Sequence, residues 1–272
     1  MKIFVLGSRG MAGHTICSYF KNHTTHIAYG IARNNSDFSV DIENDLEYLE
    51  HLINEYEPDV IINCIGLLIK DCNDRPDRAI YINSFFPHWL ENLTKNTETK
   101  IIHLSTDCVF DGIKGNYTEQ DIHTETNWYG RTKSMGELNN KNLTIRTSII
   151  GTELKVKGNG LLEWALRQEF SVNGYINHLW SGITTLELAK FIEYVINNKI
   201  ELDKTYHLIS PQPINKYDLL KLIYDTWNKK IEVVPDYSTN CNKILVNSRF
   251  TETNYIVSDL NTQLKELYNF KY

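Results

Sequence analysis

The chain has 272 residues, 42% hydrophobic and 23% charged, an ordinary composition for a globular protein large enough to bury one substantial core. Its formal net charge of −6, with no basic stripe, argues against a nucleic-acid binder, because nothing is arranged to neutralise a phosphate backbone. No apolar run is long enough to span a bilayer, and the N-terminal run is too short for a signal peptide.

The five cysteines, Cys17, Cys64, Cys72, Cys108 and Cys241, are scattered and form no CxxC pair. Neither a zinc site nor a disulfide framework is indicated, and reduced thiols in a cytoplasmic protein are expected.

Strand and helix patterns alternate through the first half. KIFVLG (Lys2–Gly7) is a buried-strand run, Met11 to Phe20 a helix, and HIAYGIAR (His26–Arg33) a second strand. DLEYLEHLINEY (Asp45–Tyr56) is an amphipathic helix ended by Glu57-Pro58. DVIINCIG (Asp59–Gly66) is apolar throughout, as a strand covered on both faces requires. A helix follows over Asp77–Asn96, with Pro87 placed to kink it. KIIHLST (Lys100–Thr106) is the fourth strand, TKSMGELNN (Thr132–Asn140) a helix, and LTIRTSII (Leu143–Ile150) the fifth strand. This alternation predicts an α/β protein of Rossmann type, a doubly wound parallel sheet over residues 1–150.

The pattern then loosens. Gly158-Asn159-Gly160 reads as a flexible turn, LLEWALRQEF (Leu161–Phe170) and TTLELAKFIEYVINN (Thr184–Asn198) as helices, and TYHLIS (Thr205–Ser210) as a strand. INKYDLLKLIYDTW (Ile214–Trp227) reads as a helix capped near Asn215. Residues 151–272 are expected to form a smaller C-terminal substrate-binding lobe over the ends of the sheet, with segments around 181–210 returning to the first domain.

The first strand runs into Gly7-Ser8-Arg9-Gly10-Met11-Ala12-Gly13 and a helix. Gly7, Gly10 and Gly13 allow a tight turn, close approach of a pyrophosphate and close helix–strand packing, with the phosphates near Met11 at the helix N-terminus. The second strand ends in Arg33 instead of the acidic residue that would hold a free ribose 2′-hydroxyl, and Arg9 lies in the glycine loop. Two guanidiniums favour a 2′-phosphate, so NADPH is expected over NADH. Asp41-Ile42 is placed to sit against the adenine.

Tyr129-Gly130-Arg131-Thr132-Lys133 contains Tyr-x-x-x-Lys, an i, i+4 pair on one helix face. An ammonium beside a phenol lowers the phenol pKa and fits it for proton exchange near neutrality. Between this pair and the glycine loop lies STDCVFDG (Ser105–Gly112), with hydroxyls, a carboxylate and a thiol at a strand end.

Taken in order, GSRGMAG, NCIG (Asn63–Gly66), YIN (Tyr81–Asn83), STDCVFDG, YGRTK and IRTS (Arg146–Ser148) resemble the extended short-chain dehydrogenases/reductases. STDxVFDG followed by YGxxKxxGE is most similar to the dTDP-4-dehydrorhamnose reductase branch. The resemblance is close over about the first 150 residues, and it continues weakly through SGITTLELAKFI (Ser181–Ile192).

The resemblance implies that Thr106 holds the substrate carbonyl, Tyr129 is the general acid, and Lys133 tunes Tyr129 and holds the nicotinamide ribose. Cys64, Ile65, Gly66 and Asn83 would lie along the cofactor. Asp107, Cys108 and Trp180 would line the sugar pocket, Trp180 with core packing as its plain alternative. The implied reaction is NADPH-dependent reduction of the 4-keto group of a nucleotide-activated 6-deoxyhexose, in the synthesis of surface polysaccharide precursors. No metal cluster of the kind some rhamnose-pathway reductases carry is evident, no membrane or nucleic-acid partner is implied, and a homodimer is left open.

Two departures bear on this. Cys108 stands where the reductase branch often has Tyr, and Trp180-Ser181-Gly182-Ile183-Thr184 replaces a GAPT segment. Cys108, where a sugar dehydratase would need an acid, argues against 4,6-dehydration. GDP-fucose synthase places a catalytic Cys two residues after its catalytic hydroxyl, as Thr106 and Cys108 are spaced here. An epimerase–reductase using Cys108 is therefore an alternative, with His123 and His178 as candidate partner acids. A non-catalytic regulatory NADP-binding subunit is a third reading. The presence of both Tyr129 and Lys133 favours catalysis.

Overall fold

The computed structural model describes residues 1–154, 158 and 160–272; Asn159 of the expected turn lies outside the described residues. Strands β1 (Lys2–Leu6), β2 (Ile27–Ala32), β3 (Phe38–Ser39), β4 (Val60–Asn63), β5 (Lys100–Thr106) and β6 (Leu143–Thr147) follow one another along the chain. Helix α1 (Met11–His23) joins β1 to β2, and α2 (Leu46–Tyr56) joins β3 to β4. Between β4 and β5 run α3 (Ile69–Asp74), α4 (Pro76–Ala79), a π-helical segment Ile80–Phe85 and α5 (Phe86–Thr94). Helix α6 (Trp128–Met135) precedes β6.

The remainder comprises β7 (Ile149–Ile150), α7 (Leu161–Leu166), β8 (Ser171–Tyr175), β9 (His178–Trp180), β10 (Ile183–Thr184) and α8 (Thr185–Asn197). After these come β11 (Lys204–His207), β12 (Ile214–Asn215), α9 (Lys216–Thr226), β13 (Glu232–Asp236), β14 (Cys241–Asn242) and α10 (Leu260–Asn269).

Seven strands form one sheet in the order β11-β6-β5-β4-β1-β2-β3, every neighbouring pair parallel. A parallel sheet needs cover on both faces, and the sequence supplies it. Ile16 and Phe20 of α1 pack with Leu188, Phe191 and Ile192 of α8 on Ile3, Val5 and Ile62. Leu49, Leu52 and Ile53 of α2 pack with Ile82, Phe86 and Leu90 on Phe4, Leu6 and Ile61. Each such buried side chain contributes about 1.5–3 kcal/mol from removal of apolar surface.

The chain moves from β1 to β2 on one side and returns to β4 on the other, so a crevice opens over the carboxyl ends of β1 and β4. Strand β11 pairs with β6, so the segment after α8 belongs to the large sheet. A separate core holds Leu162, Trp180, Leu219, Ile223 and Leu264 from α7, β9, α9 and α10. There β12, β9 and β14 make a three-stranded sheet, with β9 in the middle.

Three local expectations are corrected. The helix over Asp77–Asn96 is divided, with a π-helical segment ahead of Pro87. Proline has no N–H to give the Asn83 carbonyl. That carbonyl is instead overlain by Gly136, where a Cβ would approach its oxygen to 1.9 Å. The helix expected over Thr132–Asn140 lies earlier, as α6. It starts where the Asn127 side chain accepts the Gly130 N–H at 2.9 Å, and it ends before Gly136. The helix expected over Leu161–Phe170 is only α7, because Ser171 already enters β8. Helix α9 has its expected cap, the Asn215 side chain accepting the Asp218 N–H at 2.7 Å.

Candidate active site

The glycine loop is held as a cradle at the end of β1. Gly7 adopts φ +75°, and its N–H and that of Ser8 donate to Ile31 O at 2.8 and 3.1 Å, tying the loop to β2. A Cβ on Gly13 would stand 2.1 Å from Gly7 O, so only glycine permits this approach of α1 to β1. This is the close packing that a dinucleotide site at a helix N-terminus requires, and the residues present fit such a group.

The flanking residues differ in how free they are. Arg9 is exposed and its Nη1 donates to Asn35 O at 3.1 Å; Arg33 is exposed at the end of β2. Asp41 is engaged in its own turn, accepting from Glu43 N at 3.2 Å and Asn44 Nδ2 at 3.0 Å. Ile42 is buried, and its carbonyl accepts from Tyr81 Oη at 3.0 Å.

The loop after β4 lies beside this cradle. A Cβ on Gly7 would meet Cys64 C and Ile65 N at 3.1 Å, and one on Gly66 would stand 3.4 Å from Asn83 Oδ1 and 3.9 Å from Lys133 Nζ. Asn83 Oδ1 accepts the Leu67 N–H at 2.8 Å, and its Nδ2 lies 3.2 Å from Thr132 Oγ1. Asn83 therefore clamps the cofactor-side loop to α6.

Thr106 ends β5. Its hydroxyl donates to Asp107 Oδ1 at 3.1 Å and accepts the Cys108 N–H at 3.1 Å. Burial raises the Asp107 carboxyl, with Lys243 and Lys216 opposing, and pushes the Cys108 thiol up to about 12, with Asp107 adding to the rise. Cys108 is thus a neutral thiol at physiological pH. Tyr129 stands in the first turn of α6 with Thr106, Asp107 and Cys108 as neighbours. Its phenol is raised, first by burial and next by the Cys108 thiol.

On balance the phenol is raised, against the direction expected from Lys133 alone. The Lys133 side chain turns inward, where Nζ donates to Leu104 O at 2.6 Å and lies 3.4 Å from His103 Nε2. Burial lowers Lys133 to about 8.

Trp180 is only 4% exposed and belongs to the core shared by α7, β9, α9 and α10. Its Nε1 donates to Ser148 Oγ at 2.7 Å, and Lys216 Nζ lies 4.8 Å above its ring. Lys216, which sequence reasoning missed, has Asp107, Cys108 and Cys241 as neighbours. Burial lowers Lys216 to about 8, while these three groups act to raise it. Lys243, also missed, donates to Glu125 Oε2 at 3.2 Å and has Cys108 and Asp107 as neighbours. Neither lysine carries a sequence signal; β12, β9 and β14 bring them to Asp107 and Cys108.

The histidines considered as partners for Cys108 are committed elsewhere. His123 contacts Arg146 Nη2 at 2.7 Å and Ser134 Oγ at 2.5 Å, and His178 contacts Thr239 Oγ1 at 2.7 Å. Behind the site Glu137, 4% exposed, accepts from Arg146 Nε at 2.9 Å, Arg146 Nη2 at 2.6 Å and Ser105 Oγ at 2.5 Å. A surface groove of about 570 Å³, lined by Tyr19, His23, Lys190 and Phe270 among others, shares no residue with this constellation.

The profile of the RmlD substrate binding domain matches residues 1–244. The chain belongs to this family. The dTDP-4-dehydrorhamnose reductase of Aggregatibacter actinomycetemcomitans is 26% identical over 251 residues, 86% of this chain and 82% of that protein. The structure of a dTDP-4-dehydrorhamnose reductase from Clostridium acetobutylicum superposes with a TM-score of 0.83 at 25% identity, covering 99% of both chains. One from Bacillus anthracis, in complex with NADP, shares the fold with a TM-score of 0.85 at 20% identity and 98% coverage of both chains. The methionine adenosyltransferase 2 subunit beta of Rattus norvegicus is 30% identical over 138 residues; that match takes in 50% of this chain but only 41% of that protein.

These relatives bear out the family expected from STDCVFDG and YGRTK. No described helix is long and apolar enough to cross a membrane.

Proposed function

We propose that the protein is an NADPH-dependent 4-ketoreductase of a nucleotide-activated 6-deoxyhexose, like dTDP-4-dehydrorhamnose reductase, serving surface polysaccharide precursor synthesis in the cytoplasm. The observation that carries this reading is the convergence of Thr106, Tyr129 and Lys133 beside the loop that runs from the glycine cradle to Asn83. The cradle of Gly7, Gly10 and Gly13 would hold the pyrophosphate and Arg9 and Arg33 the 2′-phosphate. Cys64, Ile65, Gly66, Asn83 and Lys133 would line the nicotinamide side. When bound, the reduced nicotinamide supplies a hydride.

The remaining work falls to the protein. The Thr106 hydroxyl orients the ketone oxygen. Tyr129, raised by burial, keeps its proton at neutral pH and releases it to the oxygen as negative charge develops there. The products balance as one alcohol from one ketone, one hydride and one proton. Lys216, Lys243 and Asp107 would hold polar groups of the sugar nucleotide, and the neutral Cys108 would form a wall. A thiol at about 12 is a poor base for the epimerase alternative.

The test is incubation with NADPH and a panel of dTDP-, UDP- and GDP-linked 4-keto-6-deoxyhexoses in deuterated water. Expected are NADPH oxidation without ring-carbon deuterium and loss of turnover in Tyr129→Phe with cofactor binding retained. Cofactor binding without turnover of any sugar would instead favour the non-catalytic regulatory subunit, the third reading of the sequence.

A further inference from the structure

His103, on β5, is fully buried and lies between two nitrogen atoms. Asn63 Nδ2 is 3.0 Å from His103 Nδ1, and Lys133 Nζ is 3.4 Å from His103 Nε2. The orientation of the Asn63 amide is fixed from outside: its Oδ1 accepts the backbone N–H of Ile65 at 3.1 Å, and a backbone N–H can only donate. Asn63 therefore presents its NH₂ to His103, Nδ1 must accept, and the proton of the neutral imidazole sits on Nε2. That N–H points at Lys133.

An ammonium there would set donor against donor, whereas an uncharged amine accepts the Nε2–H and still donates to Leu104 O at 2.6 Å. Moving the proton to Nδ1 only transfers the conflict to the Asn63 NH₂. One pattern satisfies every contact: Asn63 donating, His103 protonated on Nε2, Lys133 neutral.

We propose that His103 is a positioning residue that, through the tautomer Asn63 imposes, makes Lys133 a group that gains and loses its proton during work near neutral pH. It is not a permanent cation. The proposal rests on the reductase reading only for its kinetic consequence; the protonation itself is a property of the protein alone.

The other groups facing this pair are few. Glu137, Cys64 and Cys72 favour the charged lysine, burial opposes it most, and Lys133 and the more distant His88 act with burial to keep His103 neutral. Lys133 shares a face of α6 with Tyr129, so its charge helps Tyr129 release a proton. Turnover should then fall as pH rises through the lysine's titration, near 8.

The test uses the whole protein labelled with ¹³C,¹⁵N-lysine and ¹⁵N-histidine. The Lys133 signal is identified by its loss in Lys133→Met. Expected are a His103 spectrum with Nε2 protonated and a Lys133 titration near 8.

His103→Phe removes the opposing donor. Asn63→Asp keeps an acceptor for Ile65 N–H but accepts from Nδ1, turning Nε2 into an acceptor for the ammonium. Both should raise the Lys133 titration by about one pH unit or more, and with it the alkaline limb of kcat. If His103→Phe does not fold, Asn63→Asp carries the comparison.

The proposal is overturned by Nδ1 protonation in the native protein, by Lys133 titrating as an ordinary lysine, or by a folded variant whose Lys133 titration does not move. Absence of turnover with any sugar overturns the reductase reading and leaves this result standing.

Discussion

Glu137→Gln tests whether the buried ion pair behind the site holds it together. Arg146 and Glu137 are 1% and 4% exposed, and they meet through two guanidinium contacts, at 2.9 and 2.6 Å. The amide keeps the shape but removes the charge, and its NH₂ must face an Arg146 donor, because Oε1 accepts from Nε and Oε2 from Nη2. Removing one partner of a buried pair and leaving the other charged costs about 3–5 kcal/mol. In urea unfolding followed by circular dichroism, Glu137→Gln should lose stability of that order. Adding Arg146→Met should recover part of the loss, because the orphaned charge is gone.

The pH dependence gives a second reading. Although burial opposes it, the Arg146 hydrogen bonds bring the Glu137 carboxyl below its ordinary value of 4.5. Its contribution is therefore fully present above that value and disappears as pH falls through the depressed folded value. The variant should lack this part of the acid-side loss of stability. A loss below about 1 kcal/mol, or an unchanged acid limb, would refute the reasoning.

Three further outcomes follow from the site. Gly13→Ala puts a methyl group 2.1 Å from Gly7 O, so NADPH affinity measured by fluorescence should fall at least about tenfold; unchanged affinity would remove the cradle from the cofactor site. Cys108→Ser should keep kcat within about tenfold, because a neutral thiol only lines the pocket, and a loss of about 1,000-fold would restore it as a catalytic group. Lys216→Met should raise KM for the sugar nucleotide about 10–100-fold, the worth of a charged hydrogen bond, with NADPH affinity unchanged. An unaltered KM would place Lys216 outside the substrate site.

The parallel sheet was legible because β1 and β4 are apolar runs and β5 opens on one, with helical periodicity between them. The glycine loop, Thr106 and the Tyr129–Lys133 pair were legible because each is a local pattern at a strand end or on one helix turn. What escaped depends on long-range contact. The π-helical segment needs Gly136 to overlie Asn83 O, a contact 53 residues away in sequence. Lys216 and Lys243 reach the site through strands of two or three residues, too short for any periodicity, and Trp180 turned out to lie beneath Lys216. His103 sits inside an apolar strand run, where only the position of Asn63 gives it a role. Lys133 shares a helix face with Tyr129 as its spacing implied, but whether it carries a charge is set by groups the spacing cannot reveal.

The central claim is tested most directly by following hydride from the cofactor. With NADPH carrying deuterium at nicotinamide C4 and a nucleotide-linked 4-keto-6-deoxyhexose, mass spectrometry and NMR should find one deuterium on sugar C4. Tyr129→Phe should give none. A reduced sugar lacking that deuterium, or unchanged turnover in Tyr129→Phe, would contradict the account.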